Sequence, residues 1–149
     1  MNNKLERCFA FLLLFLVMSC KQDDVTPGFM PGGTMSATIN GLSWAATSVT
    51  LNRPNSTTVQ FSGERNSSTP QASGIGISLT GYSGAAIYNV DTSRKAYYVE
   101  AGSLYTSTTG QIEVSRDDDS FFKATFNFDA ADSLNEKKTI AGSFIYRRK

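Results

Sequence analysis

From Thr34 onward, apolar residues recur at every second position, and the positions between them are mostly Ser, Thr, Asn and charged residues. A period of two sends successive side chains to opposite faces, so the pattern predicts half-buried β-strands and no helical stripe. Met35, Ala37 and Ile39 share one face of a first strand. Asn40-Gly41 then supplies the positive φ angles of a two-residue type I′ hairpin, and Leu42 and Trp44 return beside that strand. Further strands are expected at 48–51, at 57–64 with Val59 and Phe61 inward, and at 74–82 with Ile75, Ile77 and Leu79 inward. The longest polar loop lies between them, at 65–72. Segments 85–90 and 96–101 also look extended, and 104–106 reads as a continuation of the latter past Gly102. At 111–116, Ile112 and Val114 point inward. Residues 117–120 turn, and Phe122, Ala124, Phe126 and Phe128 form the apolar face of the returning strand, with Lys123, Thr125 and Asn127 facing water. A last strand at 139–147 carries Ile140, Gly142, Phe144 and Tyr146 on one side. About nine strands joined by short turns imply an all-β domain, a single antiparallel β-sandwich or flattened β-barrel. Periodicity does not separate the two.

Upstream the pattern changes. Ten unbroken apolar residues, Phe9 to Met18, follow a short start containing Lys4 and Arg7. This is the layout of an export signal, and it is too short for a membrane-spanning helix, which takes about 20 residues. With Val17, Met18 and Ser19 before it, Cys20 looks like the lipidated cysteine of a bacterial lipoprotein. Residues 1–19 are then a signal peptide, 20–33 a lipidated cysteine and tether, and 34–149 the β domain. The tether contains Pro27, Pro31, Gly32 and Gly33 and has little to pack. Directly after the cysteine, Lys21, Gln22, Asp23 and Asp24 resemble the acidic export signal that sends Bacteroidetes lipoproteins to the cell surface; a solvated polar linker would have the same composition. The expected location is the outer membrane, lipid-anchored, with the domain facing either the periplasm or the cell surface.

Cleavage before Cys20 removes Lys4, Arg7 and Glu6 and leaves the remaining charges balanced. A neutral surface argues against nucleic acid, which requires a basic stripe. Cys8 leaves with the signal and Cys20 carries lipid, so no thiol remains for a disulfide, a metal or a nucleophile.

Several stretches carry a family resemblance. The run from Met35 to Trp44, Ile87-Tyr88, the strand from Gly110 to Val114, Phe126-Asn127-Phe128 and the run from Ile140 to Phe144 resemble the small outer-membrane and surface lipoprotein domains of Bacteroidetes, a family without an assigned activity. The resemblance implies a β fold and an envelope location, and no chemistry.

The chain contains no histidine. That removes Ser-His-Asp catalysis and the usual zinc sets. Ser120-Phe121-Phe122-Lys123 matches Ser-x-x-Lys, but on a strand those two side chains point oppositely. Glu100 and Glu113 would form a carboxylate pair only if their strands were neighbours. Asp117-Asp118-Asp119 has the oxygen ligands calcium prefers, without the spacing of a calcium loop, and Asp is also ordinary turn chemistry. The aromatics remain. Alternation that places Tyr97 and Val99 in the core leaves Tyr98 beside Glu100 on the polar face, with Tyr88, Tyr105 and Phe121 near it. Such a patch could stack a sugar ring or a partner's apolar surface, with Tyr88, Tyr98 and Tyr105 as its ligand-binding residues. Trp44 reads as a core plug. Asp132-Ser133-Leu134 resembles the O-glycosylation site of exported Bacteroidetes proteins, with Ser133 as acceptor in a polar loop.

The expectation is a non-catalytic domain without cofactor or metal, binding an extracellular or envelope glycan or protein. A structural component of an envelope complex is the alternative, and a carboxylate-dependent hydrolase a more distant one. Replacing Cys20 by Ala should release the protein from the membrane fraction, and sedimentation of the variant with membranes would defeat the anchor.

Overall fold

The structure, a computed structural model, describes residues 32–65 and 72–148. The signal segment, Cys20, the Lys21-Gln22-Asp23-Asp24 stretch and the middle of the 65–72 loop lie outside the described residues. Ten strands follow one another: β1 (Gly32–Ile39), β2 (Leu42–Ala45), β3 (Ser48–Asn55), β4 (Thr58–Arg65), β5 (Ser73–Thr80), β6 (Ala86–Asn89), β7 (Arg94–Glu100), β8 (Ser103–Asp117), β9 (Phe121–Ala131) and β10 (Lys137–Arg147). They form one antiparallel sheet in the order β2-β1-β10-β9-β8-β7-β5-β4-β3, and β6 adds to β8.

The order of the end strands determines the shape. β2 and β3 lie at opposite ends of the sheet, yet only Ala46 and Thr47 separate them in the chain. A link that short spans roughly 11 Å at most, so the sheet must curl until its ends meet. The Ala46 amide donates to the Met35 carbonyl of β1 (2.9 Å), and the Thr47 amide to the Glu64 carbonyl of β4 (2.7 Å). β2 and β3 therefore act as one bent strand, paired to β1 by its first half and to β4 by its second. β6 and β7 divide a second position along a single neighbour: β7 pairs with β8 at residues 103–106 and β6 at 111–114. The result is a barrel of eight positions, a size whose interior side chains just fill.

The interior is lined as alternation predicts for most strands. Phe61 of β4 meets Phe122 of β9 and Phe144 of β10, with ring centroids 5.3 and 4.9 Å apart, so opposite walls touch through aromatic rings. Burying each such ring contributes about 1.5–3 kcal/mol. Trp44 is buried as a plug, and its indole N–H donates to the buried Ser73 hydroxyl across the seam at 2.9 Å. The hairpin at Asn40 (φ 48°) and Gly41 (φ 81°) forms as expected.

Four sequence expectations change. β1 begins at Gly32, two residues earlier than the pattern placed it. Leu42 returns beside Ile39 as expected, but it is 76% exposed, because it is the first residue after the hairpin turn, at the end of the strand. Residues 104–106 do not continue β7: Ala101 (φ 49°) and Gly102 (φ 87°) make a second two-residue turn, and β8 returns antiparallel. Segments 104–106 and 111–116 are one strand, because the polar residues between them are bent within β8 and remain paired to β9. The register shift falls between Ser107 and Thr109, just before Gly110, which has φ 148° and lies against Phe128 and Asn127.

One end of the barrel is clasped by Asp117. This carboxylate accepts from Arg53 of β3, from Arg148 beyond β10 and from the Tyr82 hydroxyl, each at 2.5 Å. Burial pushes the carboxyl up, but the hydrogen bonds from Tyr82, Arg53 and Arg148 outweigh it and hold it below the usual carboxylate range. Asp118 caps the turn through the amides of Ser120 and Phe121. The Arg116 side chain, followed by those amides, brings Asp118 down to about 2. These two aspartates are thus occupied by arginines and turn amides.

Gly110→Ala should destabilise the domain by about 3 kcal/mol, since it adds backbone strain to a clash with backbone atoms; thermal unfolding measures this. Asp117 has a lowered folded value, so its contribution is present above the unfolded carboxyl value of 3.8 and is lost as pH falls through the folded one. Asp117→Asn should cost about 2 kcal/mol at neutral pH in urea unfolding, because two arginines lose their acceptor. Variant and parent should converge in acid, and an undiminished gap there would refute the clasp.

Candidate functional site

The structure moves all three expected ligand tyrosines to the interior. Tyr88, Tyr98 and Tyr105 are 3%, 1% and 4% exposed, so the surface patch expected of them does not form. Tyr98 pairs directly with Tyr105, ring centroids 5.9 Å apart, and burial followed by the Glu100 carboxylate pushes its hydroxyl up to about 12. Tyr88 lies apart from them, stacked on Tyr82 at 5.5 Å, and its hydroxyl donates to the Gly84 carbonyl (2.6 Å). These are amphipathic core residues whose hydroxyls reach partners near the barrel's ends.

The error is one of phase. In β7 the inward residues are Ala96 and Tyr98, and the outward ones are Lys95, Tyr97 and Val99. A shift of one residue exchanges the two faces of a strand. Two adjacent tyrosines made both phases look apolar; the signal that separates them is Lys95, which belongs outside and places Tyr97 with it.

Tyr97, at 42% exposure, is therefore the aromatic ring that projects from the outer wall of β7. Its setting is built by the register. Thr50, Ser62, Gly76, Tyr97 and Thr106 follow one another as direct cross-strand neighbours over β3, β4, β5, β7 and β8. The adjacent row is Asn52, Gln60, Ser78 and Lys95. Gly76 makes the arrangement possible, because a Cβ there would fall inside the Tyr97 ring. The ring thus lies down over the glycine, with one face on the sheet and the other toward solvent. Hydroxyls and amides surround it: Thr50 Oγ1 and Ser62 Oγ are hydrogen-bonded at 2.8 Å, and Gln60 donates to Ser78 at 3.4 Å. Shallow depressions flank the ring. One is lined by Ser62, Gly74, Val99 and Gly102, the other by Thr50, Asn52, Gln60 and Ser78. Leu104, 56% exposed, forms the rim beside Val99.

The other candidates do not come together around it. Glu100 is held by Lys138 at 3.4 Å, while Glu113 lies ten residues along β8 from Ser103, the pairing partner of Glu100. At about 3.3 Å per residue the two carboxylates are far beyond the spacing of a hydrolytic pair. Ser120 sits in the turn before β9, capped by Asp118, and Lys123 projects from the outer wall. Among the described residues, no cluster of three or more His, Cys, Asp or Glu is placed to hold a metal ion. Ser133 is exposed in a turn whose keystone is Asp132, which accepts from the amides of Leu134 and Glu136.

No protein-family model and no curated protein matches the chain. Among solved structures, a redesigned β barrel is similar at 16% sequence identity and a TM-score of 0.44, covering 80% of this chain and 91% of that one.

Proposed function

We propose that this protein is a lipid-anchored outer-membrane protein whose non-catalytic β domain binds a glycan on the outer face centred on Tyr97. The observation that carries this reading is the Tyr97 ring lying over Gly76, with its free face at the centre of two rows of hydroxyls and amides. A sugar offers an apolar ring face bordered by hydroxyls, and a flat aromatic flanked by short polar groups matches both parts. Pairing across four strands holds those groups in place, so little side-chain entropy is lost on binding. The absence of histidine from the chain and the separation of Glu100 from Glu113 support a binding role over a hydrolytic one.

The exposed Leu104 beside Val99 favours a second reading, in which the same face docks on an envelope protein as part of an assembly.

Calorimetric titration with hexasaccharides of β1,4-linked glucose, xylose, mannose and N-acetylglucosamine tests the first reading. At least one should bind, and Tyr97→Ala should weaken it by about ten-fold, the loss expected for one stacking aromatic. Unchanged affinity in the variant would remove Tyr97 from the site, and silence across a wider set of envelope polysaccharides would shift the reading to the protein-docking alternative.

A further inference from the structure

A second outer surface, at the clasped end of the barrel, carries a different chemistry. Phe121 opens β9 and is half-buried. Three cations converge on its ring: Arg116 at 4.7 Å from the centroid, Lys123 at 5.3 Å and Arg147 at 5.9 Å. They come from three adjacent strands. Arg116 neighbours Lys123 and Lys123 neighbours Ile145 across the pairing, while Arg147 neighbours Phe121. Ile145 is 41% exposed, so an aliphatic side chain and an aromatic ring share the patch with the three charges. Arg116 also pairs with Asp118, but among the described residues no carboxylate pairs with Lys123. Arg53 and Arg148, at the same end, are paired with Asp117.

The position of the patch matters as much as its charge. Gly32, the first residue of β1, pairs directly with Arg147, and Thr34 pairs with Ile145. The chain that precedes β1 therefore joins the domain at the edge of this cluster. Eleven residues lie between Cys20 and Gly32, twelve residue-to-residue steps with a reach of at most about 43 Å.

We infer that this surface, formed by Phe121, Ile145, Arg116, Lys123 and Arg147, rests on the anionic headgroups of the membrane that holds the anchor. The inference rests on the lipid-anchor reading above. Cations near an anionic bilayer gain from its surface potential, and aromatic and aliphatic side chains between them settle at the headgroup boundary. An anchor joined at the edge of the patch brings that face to the bilayer with the shortest reach. Docking there fixes the roll of the barrel and turns the Tyr97 face, which lies on β4, β5 and β7, away from β9 and β10.

The test uses the lipidated full-length protein, reconstituted into vesicles of phosphatidylcholine alone or with about one third phosphatidylglycerol. Amine modification rates at Lys123, Lys95 and Lys137 are read by mass spectrometry. At low salt, Lys123 should react about five-fold more slowly in the anionic vesicles, the population shift that one unit charge gives at such a surface, while Lys95 and Lys137 keep their rates. Salt at about 0.5 M should restore Lys123, because screening shortens the reach of the charges. Arg116→Glu, an exposed change, should abolish the protection without altering the fold. Equal Lys123 rates in the two vesicle types would overturn the inference, as would protection that persists in detergent, which would signify contact between copies of the chain. Loss of the protein from neutral vesicles would defeat the anchor reading instead, and retention on anionic vesicles alone would still support the patch.

Discussion

Everything in this domain depends on a two-residue link. Ala46 and Thr47 join strands that lie at opposite ends of the sheet, and a chain that short permits no flat arrangement. Closing the sheet creates an interior that eight strand positions can fill, which is why Phe61 can reach Phe122 and Phe144 across it. It also removes most of the unpaired edge that an open sheet would otherwise present. The Trp44 to Ser73 hydrogen bond and the Asp117 clasp then hold places where curvature alone would leave buried polar atoms or adjacent strands without partners.

Closure has a second consequence. Once the inner face is committed to packing, function is left to the outer wall and the two ends. The interior tyrosines are consumed as amphipathic core residues, their rings inside and their hydroxyls bonded at the margins. The outer wall is mostly Ser, Thr and Gly, and Tyr97 stands out on it because Gly76 leaves room for a ring to lie flat. The cations around Phe121 are instead concentrated where β1 enters the barrel, which separates a surface suited to anionic headgroups from one suited to a neutral polar ligand.

Much of the fold was legible because alternation in most strands had one acceptable phase. Val59 and Phe61, Ile75 to Leu79, and Phe122 to Phe128 each had polar residues on the opposite face, so only one orientation buried the apolar set. β7 failed this condition. Tyr97 and Tyr98 are adjacent, both phases offered an aromatic core residue, and the expected binding site was built on the wrong face. Polar residues between 104 and 111 broke β8 into two expected strands, since nothing in a Thr- and Ser-rich run announces that its register shifts between Ser107 and Thr109 while it stays paired to β9.

The sequence by itself determined the class of the domain, most of its inward-facing residues, the hairpin at Asn40-Gly41, and the absence of histidine chemistry, because each follows from residue type and local spacing. Tertiary structure alone decided that the sheet closes into a barrel, that Tyr97 rather than Tyr98 faces outward, that Glu100 and Glu113 lie apart, and that three cations meet at one phenylalanine. Those outcomes are set by which strands become neighbours and in what register, a long-range choice fixed by packing of the whole interior and encoded at no single position along the chain.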